Sequence, residues 1–442
     1  MSELKSKLSS LSPPRLLALS FLGVICVGTL LLKLPISTSM CISWVDALFT
    51  AVSATTVTGL SVVDTESGFT MFGKTVIMLM IQFGGIGLMT FAVFTLLIMG
   101  RKISLRQRVN IAESFNQHSP GGIVKLVKLL MTFVFLVEGI AFFILSMRWV
   151  PVFGWKDGLF NSLFHTISAF NNAGFSTWSN NLEDYVTDPI INITITILFI
   201  VGGLGFTVIA DLRANKNWHP LMLHTKMMLI GTLIINVVSM LVIFFIEYNN
   251  PDTLKPLTDL GKLSASYFQA VTTRTAGFNT ITIGNMEDTS LIYMMLLMFI
   301  GAGSASTGSG IKLTTAMVVV LATITFLKSQ REPVLFKRRI EQAVIVRSIS
   351  IVIMSSLVVF SFILILSITE NAPFLAIMFE AVSAFGTVGL SMGITADLSV
   401  VGKILIVALM FIGRIGPLTF AFLLAKPHET HIRYPSDRVF TG

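Results

Sequence analysis

Four stretches of this chain approach a glycine in the same way: residues 49–60 (FTAVSATTVTGL), 164–175 (FHTISAFNNAGF), 267–278 (YFQAVTTRTAGF) and 379–390 (FEAVSAFGTVGL). Aligned on Gly59, Gly174, Gly277 and Gly389, each has an aromatic residue ten positions earlier and a Leu or Phe directly after. Each begins as a short apolar helix of about three turns and ends in a Thr/Asn/Gly run that a helix disfavours. A polar, non-helical tip is costly in lipid unless it is buried in protein or lines water or ions. One such tip would read as a turn between spans. Four in register predict a pseudo-fourfold ring.

The lipid setting follows from composition. Charged residues make up 12% of the 442, hydrophobic residues 53%, and mean hydropathy is +0.82. Soluble domains carry about 25% charged residues, and several apolar runs here reach the roughly 20 residues that cross a hydrocarbon core. The net charge of +8 sits in loops between spans, which reads as topology and not as a nucleic-acid surface. Cys26 and Cys41 are expected to be packing residues without a disulfide, and no cleavable signal follows Arg15.

The predicted fold is an all-α membrane protein of eight spans, built from four span–pore helix–filter–span repeats. A tail (1–14) precedes repeat 1 (15–108), repeat 2 (109–215), repeat 3 (216–335), repeat 4 (336–425) and a second tail (426–442). The closing spans support the repetition: GGIGLMTF (84–91) matches GRIGPLTF (413–420), and GGLGFTVI (202–209) resembles both. With both termini cytoplasmic, the inner side holds 21 Lys/Arg against seven acids, including Arg101, Lys102, Arg106 and Arg108. The outer side holds seven bases and fifteen acids. That bias sets orientation, and the acidic outer face concentrates cations at the mouth.

The tips carry the oxygen-rich chemistry of a cation filter, since backbone carbonyls and Thr hydroxyls can replace a potassium ion's hydration shell. The candidate filter residues are Thr56, Val57, Thr58 and Gly59; Asn171, Asn172, Ala173 and Gly174; Arg274, Thr275, Ala276 and Gly277; and Gly386, Thr387, Val388 and Gly389. In repeat 3 a small-residue run interrupts the closing span. Gly301, Gly303, Ser304, Ala305, Ser306, Thr307, Gly308, Ser309 and Gly310 are expected to form a movable gate loop below the filter, against the alternative of a static helix break. Arg414 stands where the first closing span has Gly85. Either it projects under the filter as a barrier to cations or pairs with the loop, or it forms a structural salt bridge with Glu138 or Glu380. Arg274 is too bulky and too repulsive for the ion path, so it should point behind the filter, braced by an acid. Lys312 should snorkel or bond the loop, and His165 and Glu380, equivalent in two short helices, should support the tips.

The repeated tips with GSASTGSGIK (303–312) and GRIGPLTF (413–420) resemble the Trk/Ktr/HKT superfamily of potassium transporters, most of all the Ktr membrane subunits, over about residues 15–425. Trk-type relatives usually carry an additional N-terminal helix pair, whereas this sequence enters its first unit at once. Glycine at the end of all four tips is similar to potassium-selective members, whereas sodium-passing relatives often have Ser in the first. The resemblance implies a homodimer of pores in the plasma membrane on a cytoplasmic KtrA-like ring that binds ATP or ADP, with potassium as substrate and sodium stimulating flux. No dinucleotide fingerprint or Walker loop marks this chain, and no organic cofactor is expected. Two alternatives remain in the same class: a Trk-type potassium or sodium/potassium transporter without that ring, and transport by alternating access, which relies on inverted repeats. A membrane-embedded enzyme is the rival class, and His-Glu-x-x-His, Gly-x-Ser-x-Gly and paired intramembrane carboxylates are all missing.

Overall fold

Apolar runs with capped ends give helices, and helices dominate the computed structural model. It describes residues 13–87, 123–330, 332–417 and 420. The basic cluster at 101–108, nearly all of both tails and the far ends of the first and last closing spans lie outside those residues.

Repeat 1 comprises α1 (Pro13–Leu32), α2 (Trp44–Thr56) and α3 (Met71–Ile86). Repeat 2 runs its opening span and short helix together as α4 (Ile123–Phe170), kinked at Gly154, and continues in α5 (Pro189–Leu204) and α6 (Phe206–Ala214). Repeat 3 contributes α7 (Leu223–Glu247), α8 (Asp259–Thr272), α9 (Asp288–Phe299) and α10 (Leu313–Leu327). A small hairpin, β1 (Val334–Leu335) with β2 (Arg338–Arg339), leads to α11 (Gln342–Thr369), α12 (Phe374–Gly386) and α13 (Val400–Ile415). Among the described residues, α4, α7 and α11 are each long and apolar enough to cross a membrane, and α5 with α6 passes the same test together as a broken span or a re-entrant pair bent by 89°. The shorter apolar helices α1, α3, α9, α10 and α12 accompany them.

The short helices form the centre. Every residue of α12 from Phe379 to Gly386 is buried, as is α2 from Phe49 to Thr56. The long helices turn apolar faces outward instead, with Leu233, Val237, Phe245, Ile353, Leu357 and Phe360 exposed, as lipid-facing helices should. Helix entry is set by short polar side chains: Ser43 and Asp46 form a capping box on α2, while Thr258 caps α8 and Ser399 caps α13.

Each short helix also packs on the closing helix of the preceding repeat: α4 on α3, α8 on α5, α12 on α9, and α2 on α13. The last contact joins the first repeat to the fourth, and Lys403 seals it with Asp46 at 2.9 Å. Cys26 and Cys41 are free and exposed, so the expected packing role is not what they have.

Candidate functional site

The tips begin where the short helices run out. At each, the residue two before the glycine takes a left-handed conformation: Val57 (φ 59°), Asn172 (φ 59°), Thr275 (φ 68°) and Thr387 (φ 48°). β-branched residues rarely accept positive φ, at a cost of roughly 1–3 kcal/mol each, so the burial around them must hold it. The glycines themselves follow at φ 96°, 68°, 75° and 92°.

The glycines are needed for a second reason. A Cβ built on Gly59 would stand 2.4 Å from the carbonyl oxygen of Ala173, one on Gly174 3.0 Å from that of Ala276, one on Gly277 2.2 Å from that of Val388, and one on Gly389 2.1 Å from that of Thr58. Each tip therefore meets the carbonyl that precedes the next glycine, and the fourth returns to the first. Thr58, Ala173, Ala276 and Val388 bring four carbonyls into this cycle.

Hydroxyls hold the tips from behind. Gly59 N donates to Ser53 Oγ and Gly389 N to Ser383 Oγ, both at 3.1 Å, while Ser168 Oγ donates to Phe175 O (2.7 Å) and Thr272 Oγ1 to Phe278 O (2.6 Å). These bonds revise the alignment of the third tip. Thr272 plays the part of Ser53, Ser168 and Ser383 but lies one residue nearer its glycine. The aromatic equivalent to Phe49, Phe164 and Phe379 is thus the fully buried Phe268, nine before Gly277, and not Tyr267. Gln269 then matches His165 and Glu380, and all three pin the chain leaving the tip. Gln269 Nε2 donates to Ile281 O (3.3 Å), His165 Nε2 contacts Ser176 Oγ (3.0 Å), and Glu380 accepts from Ser391 (2.7 Å) and Thr395 (2.5 Å).

A cavity of about 580 Å³ opens above the four glycines, with Asp64 and Glu183 in its wall. Burial works against the Asp64 carboxylate, but hydrogen bonds from Ser67, Ser179 and the backbone outweigh it and hold its pKa below the ordinary value. For Glu183 burial wins, helped by the charge of Asp184 and opposed by bonds from Thr282 and Asn279, and its pKa rises.

Below the tips lies the interruption between α9 and α10. Its ends are tied, Gly301 N to Ile311 O (2.8 Å) and Leu313 N to Ala302 O (3.1 Å), so it folds as a compact loop. Ala305 (φ 53°) and Gly310 (φ 69°) make its turns, Ser306 Oγ donates to Gly303 O, and Lys312 Nζ donates to Gly308 O at 2.8 Å. The loop touches both the tips and the bend of repeat 2. Thr307 Oγ1 donates to Asn172 Oδ1 (3.0 Å), Thr307 N to Gly202 O (3.2 Å), Gly303 N to Gly203 O (2.8 Å), and Phe206 N to Ala305 O (2.8 Å). The third tip and fourth tip also press on it: Cβ positions on Gly308 and Gly310 would lie 2.3 Å from Thr275 Oγ1 and 3.5 Å from Gly386 Cα. Ser304 stands at its outer turn, near Thr314.

Arg414 joins this loop to the first repeat. Its guanidinium donates to Thr307 O, to Ser309 Oγ (3.1 Å) and to Gly84 O, and it lies 5.9 Å from the Phe21 ring. The salt-bridge alternatives do not form, because Glu138 pairs with Gln82 and Glu380 with Ser391 and Thr395. Arg274 does point behind its tip, but its brace is an amide, Asn236 Oδ1 at 3.3 Å, where an acid was expected. No spacing in the sequence marks Gln82, Asn236 and Glu138 as a set.

Residues 18–434 match the family model TrkH, a cation transport protein. The chain is 54% identical to the Ktr system potassium uptake protein B of Bacillus subtilis, covering 98% of this chain and 97% of that one. It is 45% identical to the protein of the same name from Vibrio alginolyticus, covering 97% and 95%. The solved structure of the potassium transporter TrkH from Vibrio parahaemolyticus shares the fold, with a TM-score of 0.75 at 20% identity over 94% of this chain and 86% of that one. On that match and those near-full-length relatives, the chain belongs to the TrkH family of cation transport proteins.

Proposed function

We propose that this chain is the membrane subunit of a potassium uptake system, conducting potassium through a pseudo-fourfold pore of eight spans. The observation that carries this reading is the closed cycle of tip contacts, from Gly59 through Ala173, Ala276 and Val388 back to Thr58. Carbonyls brought together in that way suit a partly dehydrated monovalent cation. The candidate filter residues named above supply them, and the strained left-handed residues turn the backbone toward one axis. Thr387 Oγ1, buried without a hydrogen-bond partner among the described residues, adds an oxygen.

The loop 301–310 acts as the gate beneath the filter, and Arg414 latches it to Gly84. Its compact, tied ends let it move as a unit, and Arg414 adds a positive barrier to the ion path. The names and near-full-length similarity of the relatives support the Ktr assembly, in which the chain is a homodimer in the plasma membrane with both termini cytoplasmic. A KtrA-like nucleotide-binding ring would control it, and sodium would stimulate it. The chain works as a transporter and not as an enzyme.

Rubidium uptake into liposomes containing the purified chain tests the reading. Flux that potassium suppresses and sodium suppresses poorly is expected. Equal suppression by both ions would remove the filter, and no flux at all from a folded protein would remove conduction.

A further inference from the structure

On the outer side of repeats 1 and 2 a second cavity, about 410 Å³, opens between α3 and α4. Its walls are apolar, with Met78, Phe83, Phe135, Phe142, Leu163 and Ile167 among them. Leu79, Phe135 and Leu163 at its mouth are 49%, 47% and 38% exposed, so it faces the hydrocarbon side of the helices. At its inner end sits one carboxyl group, Glu138, only 7% exposed.

Glu138 is poorly matched for so buried an acid. A carboxylate offers about four acceptor sites, and the Nε2 of Gln82, 3.1 Å from each oxygen, is the partner it has among the described residues. No Lys or Arg stands within ion-pair distance of it among those residues. An unpaired acid inside a membrane protein is costly and calls for a cation or a proton.

The acid is also wired to the tips. Gln82 Oε1 accepts from Asn171 Nδ2 at 2.6 Å, and Asn171 is a residue of the second tip, three before Gly174. Asn171 Oδ1 is itself buried without a hydrogen-bond partner among the described residues. Two hydrogen bonds therefore separate the lateral cavity from the tip cycle. Gly85 allows this, because a Cβ there would stand 2.1 Å from Asn171 Oδ1.

We propose that this lateral cavity is a binding site for an amphipathic amine entering from the lipid, its apolar tail along α3 and α4 and its ammonium on Glu138. The ammonium competes with the Gln82 amide for the carboxylate, frees Gln82 to shift, and loosens Asn171. Occupancy thus weakens conduction from outside the pore. The flux consequence rests on the conduction reading above, whereas the binding does not.

The test uses dodecylamine as the probe and dodecanol as its uncharged match, with wild type, Glu138→Gln and Leu163→Trp. Glu138→Gln keeps the shape and an acceptor for Gln82 but removes the charge, and Leu163→Trp narrows the mouth while leaving the acid. Dodecylamine should raise the melting temperature of wild type in detergent, and dodecanol should not. Either substitution should weaken that binding about tenfold, equivalent to about 1.4 kcal/mol. In liposomes, rubidium uptake by wild type should fall with dodecylamine, and half-inhibition should move up about tenfold in both variants. Equal effects of amine and alcohol, or equal binding to wild type and Glu138→Gln, would overturn the proposal by making the cavity an acyl-chain or subunit-packing surface. Binding as expected with flux unaltered would overturn its coupling to the tips. A protein without rubidium flux in any form would count against the conduction reading and leave the melting-temperature comparison to decide the site.

Discussion

The upper and lower halves of the centre treat the fourfold repeat differently. Above, the four tips share one backbone pattern, left-handed at the second residue before each glycine and closed into a cycle. Below, three of the closing helices end at one equivalent glycine, Gly87, Gly205 and Gly416, with φ of 89°, 102° and 93° and ψ of 126°, 136° and 137°. Only glycine takes that conformation readily, so one residue suffices to end each helix. The remaining segment spends residues 300–312 on its break and fills the space under the tips with them. On the proposed reading, near-symmetry is kept where an ion would need equal oxygens from every side, and it is given up below, where one movable loop would be enough to close a single path.

The largest effect expected from breaking this contrast is in the upper half. Gly277→Ser adds a Cβ that meets the Val388 carbonyl in a backbone already at φ 75°, and the cycle must open. Strain of about 1–3 kcal/mol corresponds to roughly five- to 150-fold in equilibrium terms, and the potassium-over-sodium preference should fall by about tenfold. Gly393→Ser is the matched control, because Gly393 has φ 97° but nothing within 4 Å of its Cβ position. Competition of each ion with rubidium uptake measures the preference. Equal preferences in the two variants would mean that the cycle does not select.

In the lower half, removing residues 304–309 should raise uptake severalfold while leaving the preference intact. The bonds that Gly202 and Phe206 make with Thr307 and Ala305 are lost, so some fall in melting temperature accompanies it. If the shortened protein folds yet conducts nothing, the loop is a brace for the repeat 2 bend and the contrast between the halves loses its functional meaning.

Much of this arrangement could be read from the sequence because it is written in contiguous strings. The tips, the Gly/Ser interruption and the GGxG-type motifs each lie within a dozen residues, where propensity and backbone chemistry act locally. The third tip misled because Tyr267 precedes Phe268: two adjacent aromatics hid a one-residue shortening that only the Thr272 bond exposes. Charge complementarity suggests an acid as the brace of Arg274, whereas the packed helix α7 offers Asn236. The chain from Glu138 through Gln82 to Asn171 joins residues 56 and 89 positions apart, and no periodicity reports such a contact. That Gly205 bends its span by 89° was likewise unreadable, because a Gly-rich motif permits close packing as well as a turn.

A smaller effect attaches to the latch between the halves of the lower region. Arg414→Ala removes bonds to Thr307, Ser309 and Gly84 together with the charge, and uptake should rise about two- to fivefold on the scale of one weakened contact of roughly 1 kcal/mol. Arg414→Lys keeps the charge without the forked geometry and should fall between. Since carbonyls and a hydroxyl are the partners, no buried acid is stranded, and the melting temperature should drop far less than when a buried ion pair is broken. A large drop with no gain in uptake would make Arg414 a structural tie only.

The smallest effect belongs to the outer cavity, where two acids at one mouth are tuned in opposite directions. Glu183 has a raised pKa, so on acidification from neutrality it takes up its proton first, and Asp64, with a lowered pKa, takes its proton last. The linkage signs are opposite. A raised carboxyl pKa in the folded state means that stability associated with Glu183 declines as pH rises through its titration, while that associated with Asp64 declines as pH falls through its own. For conduction the mouth loses negative charge in two steps, and the local cation concentration falls with each. Initial rubidium uptake measured from pH 7 downward at low ionic strength should therefore show a shallow first decline with a midpoint above the ordinary glutamate pKa of 4.5. Glu183→Gln should abolish that first decline and lower uptake modestly at pH 7, and added salt should flatten both effects because exposed charges are screened within about 10 Å at 0.1 M. An identical pH profile in wild type and Glu183→Gln would show that the mouth charge does not feed the pore, and would confine the working part of the upper half to the tip cycle.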